Sequence, residues 1–263
     1  MTTGKETEVA DRLSEDEVGL VKEAIREALG ARPPTIGVVG VSGTGKSSTI
    51  NAMFKTQLKI SHTTAETKEF AATPLQLAVT RGAAKDEPVR LVVVDAPGLG
   101  EELALDPGYL DEYRRRLPEC DAILWVMTAR NRAVALDQHY LEKLAQFRHR
   151  IVFAVNQVDL VYPIDWVPGS PIPTVAMERN IEEITADRQE KISRVVGHPV
   201  SVIPYSAERG FNLERLFSAL VDAAPEDRRF AFDLLKNFSY RDFVTADAFI
   251  PERGKGRHVA PDA

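Results

Sequence analysis

The sequence predicts an α/β domain: a mostly parallel, doubly wound, six-stranded sheet with helices on both faces. Three observations carry this. Short, near-continuous apolar runs recur at residues 36–39, 89–94, 122–127, 151–155 and 200–204, as expected of parallel strands buried on both faces. Helical stretches starting near Lys46, Pro107, Leu136, Val175 and Asn212 separate them, and such alternation winds helices around a sheet. Residues 70–81 add a strand antiparallel to its neighbour. Ligands of such sheets bind beyond the carboxyl ends of the strands.

Residues 1–34 read as an N-terminal helical extension. Ser14 with Glu17 three residues on makes a capping box, and acidic residues crowd the first turn. Val18, Val21, Ile25 and Ala28 or Leu29 keep helical spacing until Gly30 and Pro33-Pro34 stop it. This helix docks on its own domain or, as the weaker alternative, on a second copy. Residues 35–223 hold the alternating strands and helices, interrupted by an irregular loop at 162–173 that carries four prolines. Residues 224–263 form a C-terminal helical segment, with Phe230, Phe232, Leu234 and Leu235 packed back on the domain, and then a flexible tail. A reversible membrane contact through Phe238, Tyr240 and Phe243 is the lesser alternative, since basic support there is thin.

Composition excludes several classes. With 44% hydrophobic and 27% charged residues, the 263-residue chain is globular and needs no staples. Thirty-three Lys and Arg against 39 Asp and Glu give a net charge of −6, which argues against broad electrostatic binding of nucleic acid. The single Cys120 rules out an internal disulfide framework. No apolar run nears the ~20 residues of a membrane span, and the first ten residues lack signal-peptide regions. The expectation is a cytoplasmic protein without a transmembrane segment.

Gly40-Val41-Ser42-Gly43-Thr44-Gly45-Lys46-Ser47 follows one strand and opens a helix. The glycines let backbone N–H groups line a concavity, and the helix N-terminus adds partial positive charge, together a cradle for phosphate. Ser48 continues its first turn. Lys46 is placed for β- and γ-phosphates and the Ser47 hydroxyl for Mg²⁺. A glycine-rich turn that binds nothing is the weaker reading, because Lys-Ser at a helix start has no packing rationale. Asp95-Ala96-Pro97-Gly98 directly follows another strand. Asp95 there suits Mg²⁺ and the Gly98 N–H the terminal phosphate. Between these motifs lies a threonine-rich loop, in which Thr67, with Thr64 as runner-up, offers a second metal hydroxyl. His62 in the same loop reads as a surface residue. Asn156-Gln157-Val158-Asp159 and Tyr205-Ser206-Ala207 follow two further strands. The Asp159 carboxylate can accept two hydrogen bonds from guanine, a pair that adenine does not offer. Asn156 braces the loop and the Ala207 N–H faces the guanine carbonyl.

In this order the motifs resemble those of the Ras-like P-loop GTPase superfamily, over roughly residues 35–223. The run from Gly45 to Met53 is similar to Era-like and immunity-related GTPases, and Asn131-Arg132-Ala133 with Asp137, the Asn-Gln-x-Asp element and Trp166 resemble bacterial Era-like GTPases. The resemblance implies a P-loop NTPase fold, GTP and GDP with Mg²⁺ as ligands, and GTP hydrolysis in which Lys46, Thr67 and Gly98 serve catalysis. Ser47, Thr67 and Asp95 would organise the metal. A nucleotide-dependent homodimer or a protein effector is the implied partner. Departures bear on each inference. Gln157 replaces the usual Lys, which loosens affinity or selectivity. Leu99 replaces the Gln that orients water, so intrinsic hydrolysis is slow. Gly43 replaces the Asn of potassium-dependent relatives. About forty residues follow the core, too few for the KH-type RNA-binding domain of Era. Arg130 or Arg132 as an internal arginine finger, and Glu66, Glu69 or Glu101 as water-orienting groups, are minor candidates. Two other functions compete: a GTP-binding scaffold with little turnover, and an ATP-using phosphotransferase that leaves Asn156 to Asp159 unexplained.

Overall fold

The structure, a computed structural model, describes residues 32–58, 69–77, 90–100, 106–130, 134–236 and 238–245. The expected N-terminal helix, the threonine-rich loop with His62, Thr64, Glu66 and Thr67, the positions Glu101, Asn131, Arg132 and Ala133, and the tail after 245 lie outside these residues.

Strands β1 (Thr35–Val39), β2 (Ala71–Leu77), β3 (Arg90–Asp95), β4 (Ala122–Thr128), β5 (Ile151–Asn156) and β6 (Val202–Pro204) match the six expected. They alternate with helices α1 (Lys46–Phe54), α2 (Asp106–Arg116), α3 (Ala135–Lys143), α4 (Val175–Val196) and α5 (Leu213–Asp222). The sheet runs β6-β5-β4-β1-β3-β2-β7, one strand more than the six expected. The extra strand, β7 (Phe243–Thr245), follows helix α6 (Arg229–Leu235) and pairs antiparallel with β2, as β2 does with β3. All pairs from β6 to β3 are parallel.

Alternation along the strands builds two cores. Ile36, Val38, Leu124 and Val126 face α1, α5 and α6; Val39, Ile123, Trp125 and Met127 face α2, α3 and α4. Helix α1 buries Thr49, Ile50, Met53 and Phe54, and α5 buries Leu213, Leu216, Phe217, Leu220 and Val221. Both sets follow helical i, i+3, i+4 spacing. Phe232 and Leu235 pack into the first core as expected, whereas Phe230 is exposed beneath the Arg228 guanidinium. Tyr240 and Phe243 are also buried there, against α1 and Phe217, and Phe238 packs beside them. The membrane contact is therefore corrected: side chains committed to a core have no apolar surface left for lipid.

An ionic cluster lies at the amino ends of β1 and β4. Asp121 is fully buried and accepts hydrogen bonds from Arg32 Nη2 (2.9 Å), Arg228 Nε (3.2 Å) and the Thr35 backbone N–H (3.0 Å). Arg228 Nη2 also donates to the Arg32 carbonyl at 2.7 Å. One carboxylate thus ties the chain entering β1 to the segment entering α6. Next to it, burial together with the Asp121 charge pushes the Cys120 thiol up to about 12, which makes it inert packing.

Asp137, singled out in the sequence, is buried at the start of α3 and accepts a 2.9 Å hydrogen bond from Trp125 Nε1. Burial raises its pKa to about 6, with the Trp125 bond and the Arg188 charge pulling the other way. Between pH ~4 and ~6 the folded state holds a proton that the unfolded chain has released, so this group removes stability as pH rises through that window. A shift of about two units corresponds to roughly 3 kcal/mol. Asp137→Asn keeps an acceptor for Trp125 but does not titrate. Urea unfolding of both proteins should show the wild type losing about that much relative to the variant from pH 4 to 7. Parallel stability curves would refute the assignment.

Candidate functional site: a crevice at the carboxyl ends of the strands

The expected site residues gather at the carboxyl ends of β1, β3, β5 and β6. Leaving β1, the chain turns at Gly40 with φ +144°, where a Cβ would stand 2.3 Å from the Val126 carbonyl. Only glycine fits that approach. The loop Gly40-Val41-Ser42-Gly43-Thr44-Gly45 then curls into α1. Thr44 Oγ1 and Lys46 Nζ both donate to the Val41 carbonyl, at 2.9 and 3.4 Å, and Lys46 is largely buried.

Beside this loop runs the segment after β3. The Ser42 N–H donates to the Leu99 carbonyl (2.9 Å) and the Leu99 N–H to the Gly40 carbonyl (3.3 Å). A Cβ on Gly98 would come 2.8 Å from Ser42 Cα, so the two loops are in direct contact. The Leu99 side chain is fully buried in the second core. Ser47 Oγ donates to Asp95 Oδ2 at 2.5 Å, so the hydroxyl and the carboxylate meet at the start of α1. Two hard oxygen donors beside a phosphate cradle suit Mg²⁺, which uses few protein ligands and completes its shell with phosphate and water. Ser48 is half-buried in the same turn.

The other half of the crevice is bolted to the first. Asn156 is buried at the end of β5; its Nδ2 donates to the Thr44 carbonyl (3.0 Å) and its Oδ1 accepts the Ala207 N–H (3.1 Å). Gln157, at φ +64°, donates from Nε2 to the Gly43 carbonyl (3.2 Å) and accepts from Thr128 Oγ1 (2.6 Å). Ser206 Oγ donates to Asp159 Oδ1 at 2.6 Å and accepts the Arg209 N–H, which orients the carboxylate. Asn156 Oδ1 is thus the acceptor that the Ala207 N–H, expected to face guanine, meets in this structure.

Two contacts here were not foreseen. Thr49 Oγ1, which donates to the Gly45 carbonyl, also meets the Tyr205 hydroxyl at 2.7 Å inside the core. Thr128 holds Gln157. The first pair is 156 residues apart, and nothing local marks it; the Thr128 contact has a faint local signal, a polar residue ending an apolar strand. Of the minor candidates, Arg130 is exposed with its backbone N–H on Thr128 Oγ1, and Glu69 is exposed before β2.

The family described as 50S ribosome-binding GTPase matches residues 35–157. Those residues, just under half of the chain, are similar to this GTPase family. YfjP of Escherichia coli (strain K12), an uncharacterized protein, is 31% identical over 192 residues, 71% of this chain and 62% of YfjP. The chain thus spans less than two thirds of that curated relative. Among solved structures, Era of Aquifex aeolicus bound to GDP and aluminium fluoride superposes with TM-score 0.53 at 18% identity, covering 73% of this chain and 57% of that one. Toc33 of Arabidopsis thaliana with Mg²⁺ and GMPPNP gives 0.52 at 15%, covering 81% and 93%. These likenesses show that the domain has the P-loop GTPase fold. Among the described residues no helix is long and apolar enough to cross a membrane.

Proposed function

We propose that the domain binds GTP with Mg²⁺ and hydrolyses it slowly to GDP and phosphate, acting as a nucleotide-controlled switch. One observation carries the reading: Asn156 and Gln157 reach from the base side of the crevice to the Thr44 and Gly43 carbonyls. A purine held at Asp159 and a triphosphate held by the loop therefore belong to one molecule. Lys46 and the amides of residues 42–47 offset phosphate charge, Asp159 accepts the guanine ring N–H and exocyclic amine, and Ser47 with Asp95 would hold the metal. Bound there, Mg²⁺ supplies charge neutralisation on the β- and γ-phosphates. Water attacks the γ-phosphorus in line, its bond to the β–γ bridging oxygen breaks, and the proton leaves with phosphate.

Slow turnover follows from Leu99. Its side chain is packed in the core and its backbone is paired with Val41, so it neither hydrogen-bonds water nor swings toward the phosphates. The same observation supports the second reading, a scaffold that keeps GTP intact. Single-turnover phosphate release from bound GTP, with Lys46→Ala as control, separates them. Release at a rate well above that control, which should lose about 100-fold or more, supports the switch. GTP bound yet intact after hours supports the scaffold. Absence of nucleotide binding by the wild type refutes both.

A further inference from the structure

Two side chains bolt the halves of the crevice together, and they differ in their surroundings. Asn156 is buried, whereas the Gln157 bond to the Gly43 carbonyl lies at the surface, where water competes for both partners. Ordering a glutamine side chain costs about as much as one neutral hydrogen bond returns, so a single bond to Gly43 would leave it mostly free. A second bond changes that balance. Thr128, the last residue of β4, donates from Oγ1 to Gln157 Oε1 at 2.6 Å. The same Oγ1 accepts the Arg130 N–H at 3.1 Å, which occupies a lone pair and leaves the hydroxyl proton for Gln157. Threonine is β-branched and stiff at χ1, so at a strand end this hydroxyl is a fixed post. The bond also decides which way the amide faces. Reversed, Oε1 would meet the Gly43 carbonyl, acceptor against acceptor.

We propose that Thr128 is a positioning residue for the phosphate loop, acting through Gln157. The role deepens the GTP-binding reading of the crevice and rests on it. The Gly43 carbonyl and the Thr44 N–H belong to one planar trans peptide and point opposite ways. Holding the carbonyl on Gln157 therefore turns the Thr44 N–H toward the concave side of the loop. Thr44 stands between Gly43 and Gly45, both in left-handed backbone at φ +76° and +88°. Such turns gather successive N–H groups around an anion. Asn156 holds the next carbonyl, that of Thr44, in the same sense. A lysine at position 157 would need no such help, since an ammonium has only donors and its bond to a carbonyl carries charge. The neutral glutamine needs a partner for its oxygen, and Thr128 is that partner.

Displacement of a fluorescent guanine nucleotide from single and double variants tests this. Thr128→Val should weaken GTP binding about three- to tenfold, and Thr128→Ser, which keeps the hydroxyl, should stay within about twofold of the wild type. Inorganic triphosphate should lose the same factor as GTP, because the effect enters through the phosphate loop. In a Gln157→Ala background Thr128→Val should cost less than about twofold, since the side chain it steers is gone. In a Gln157→Lys background it should again cost less than about twofold, because the ammonium reaches Gly43 unaided. A threonine that merely stabilises the end of β4 would lower affinity equally in all three backgrounds. Such additive losses overturn the proposal, as does a Thr128→Val variant that binds like the wild type. A wild type that binds no guanine nucleotide is a separate outcome, which removes the site itself and this role with it.

Discussion

Asp159→Ala should lower affinity for GTP about 100- to 10,000-fold while leaving affinity for inorganic triphosphate within about threefold. The carboxylate is already aimed by Ser206 Oγ at 2.6 Å. It can take two hydrogen bonds from guanine, each worth roughly 1.5–3 kcal/mol to a charged acceptor. Their sum gives that range of fold-change. The phosphate loop is held by Asn156 and Gln157, not by Asp159, so the triphosphate end keeps its grip. Ser206→Ala keeps the charge and loses only its orientation, which should cost about tenfold. Displacement of a fluorescent guanine nucleotide measures each value. Equal competition by GTP and ATP against the wild type would remove Asp159 from the base-reading role.

The second large effect concerns stability. Asp121→Ala should destabilise the fold by about 3–5 kcal/mol, because it strands the buried Arg228 guanidinium without its counter-charge. For a chain of this length, that lowers Tm by about 10 °C or more. Arg32 is half-exposed and can return to water; Arg228 cannot. Replacing both charges, as Asp121→Leu with Arg228→Met, should recover part of the loss, since an apolar pair leaves no ion buried. Thermal unfolding of the single and double variants decides it: a double variant no better than Asp121→Ala would show that the Thr35 hydrogen bond, not the ion pair, dominates.

How far the sequence discloses this molecule depends on where the physics is local. The five apolar runs mark β1, β3, β4, β5 and β6 because parallel strands bury both faces and read as uninterrupted hydrophobes. The motif at Gly40 to Ser47 is legible because left-handed turns demand glycine at fixed offsets. Asp95, Asn156, Asp159 and Ser206 were legible as polar residues ending such runs. What escaped is long-range. Phe243-Val244-Thr245 is too short a run to announce a strand, and only its partner Leu75-Gln76-Leu77 makes it one. The Asp121–Arg228 pair spans 107 residues and looks, in sequence, like two ordinary surface charges. The Thr49–Tyr205 contact is hidden for the same reason, as is the hydrogen bond from the Ala207 N–H to Asn156 Oδ1, an acceptor that comes from a different strand.

The pairing of Leu75 with Thr245 closes a loop of 170 residues across the outermost seam of the sheet. During synthesis at roughly 5–20 residues per second, β2 emerges about 10–30 s before the strand that hems it. Throughout that interval one row of main-chain donors and acceptors stands open to any passing polypeptide. The nascent chain is therefore at its stickiest just before its last described strand arrives, and slow translation of the final third would lengthen that exposure.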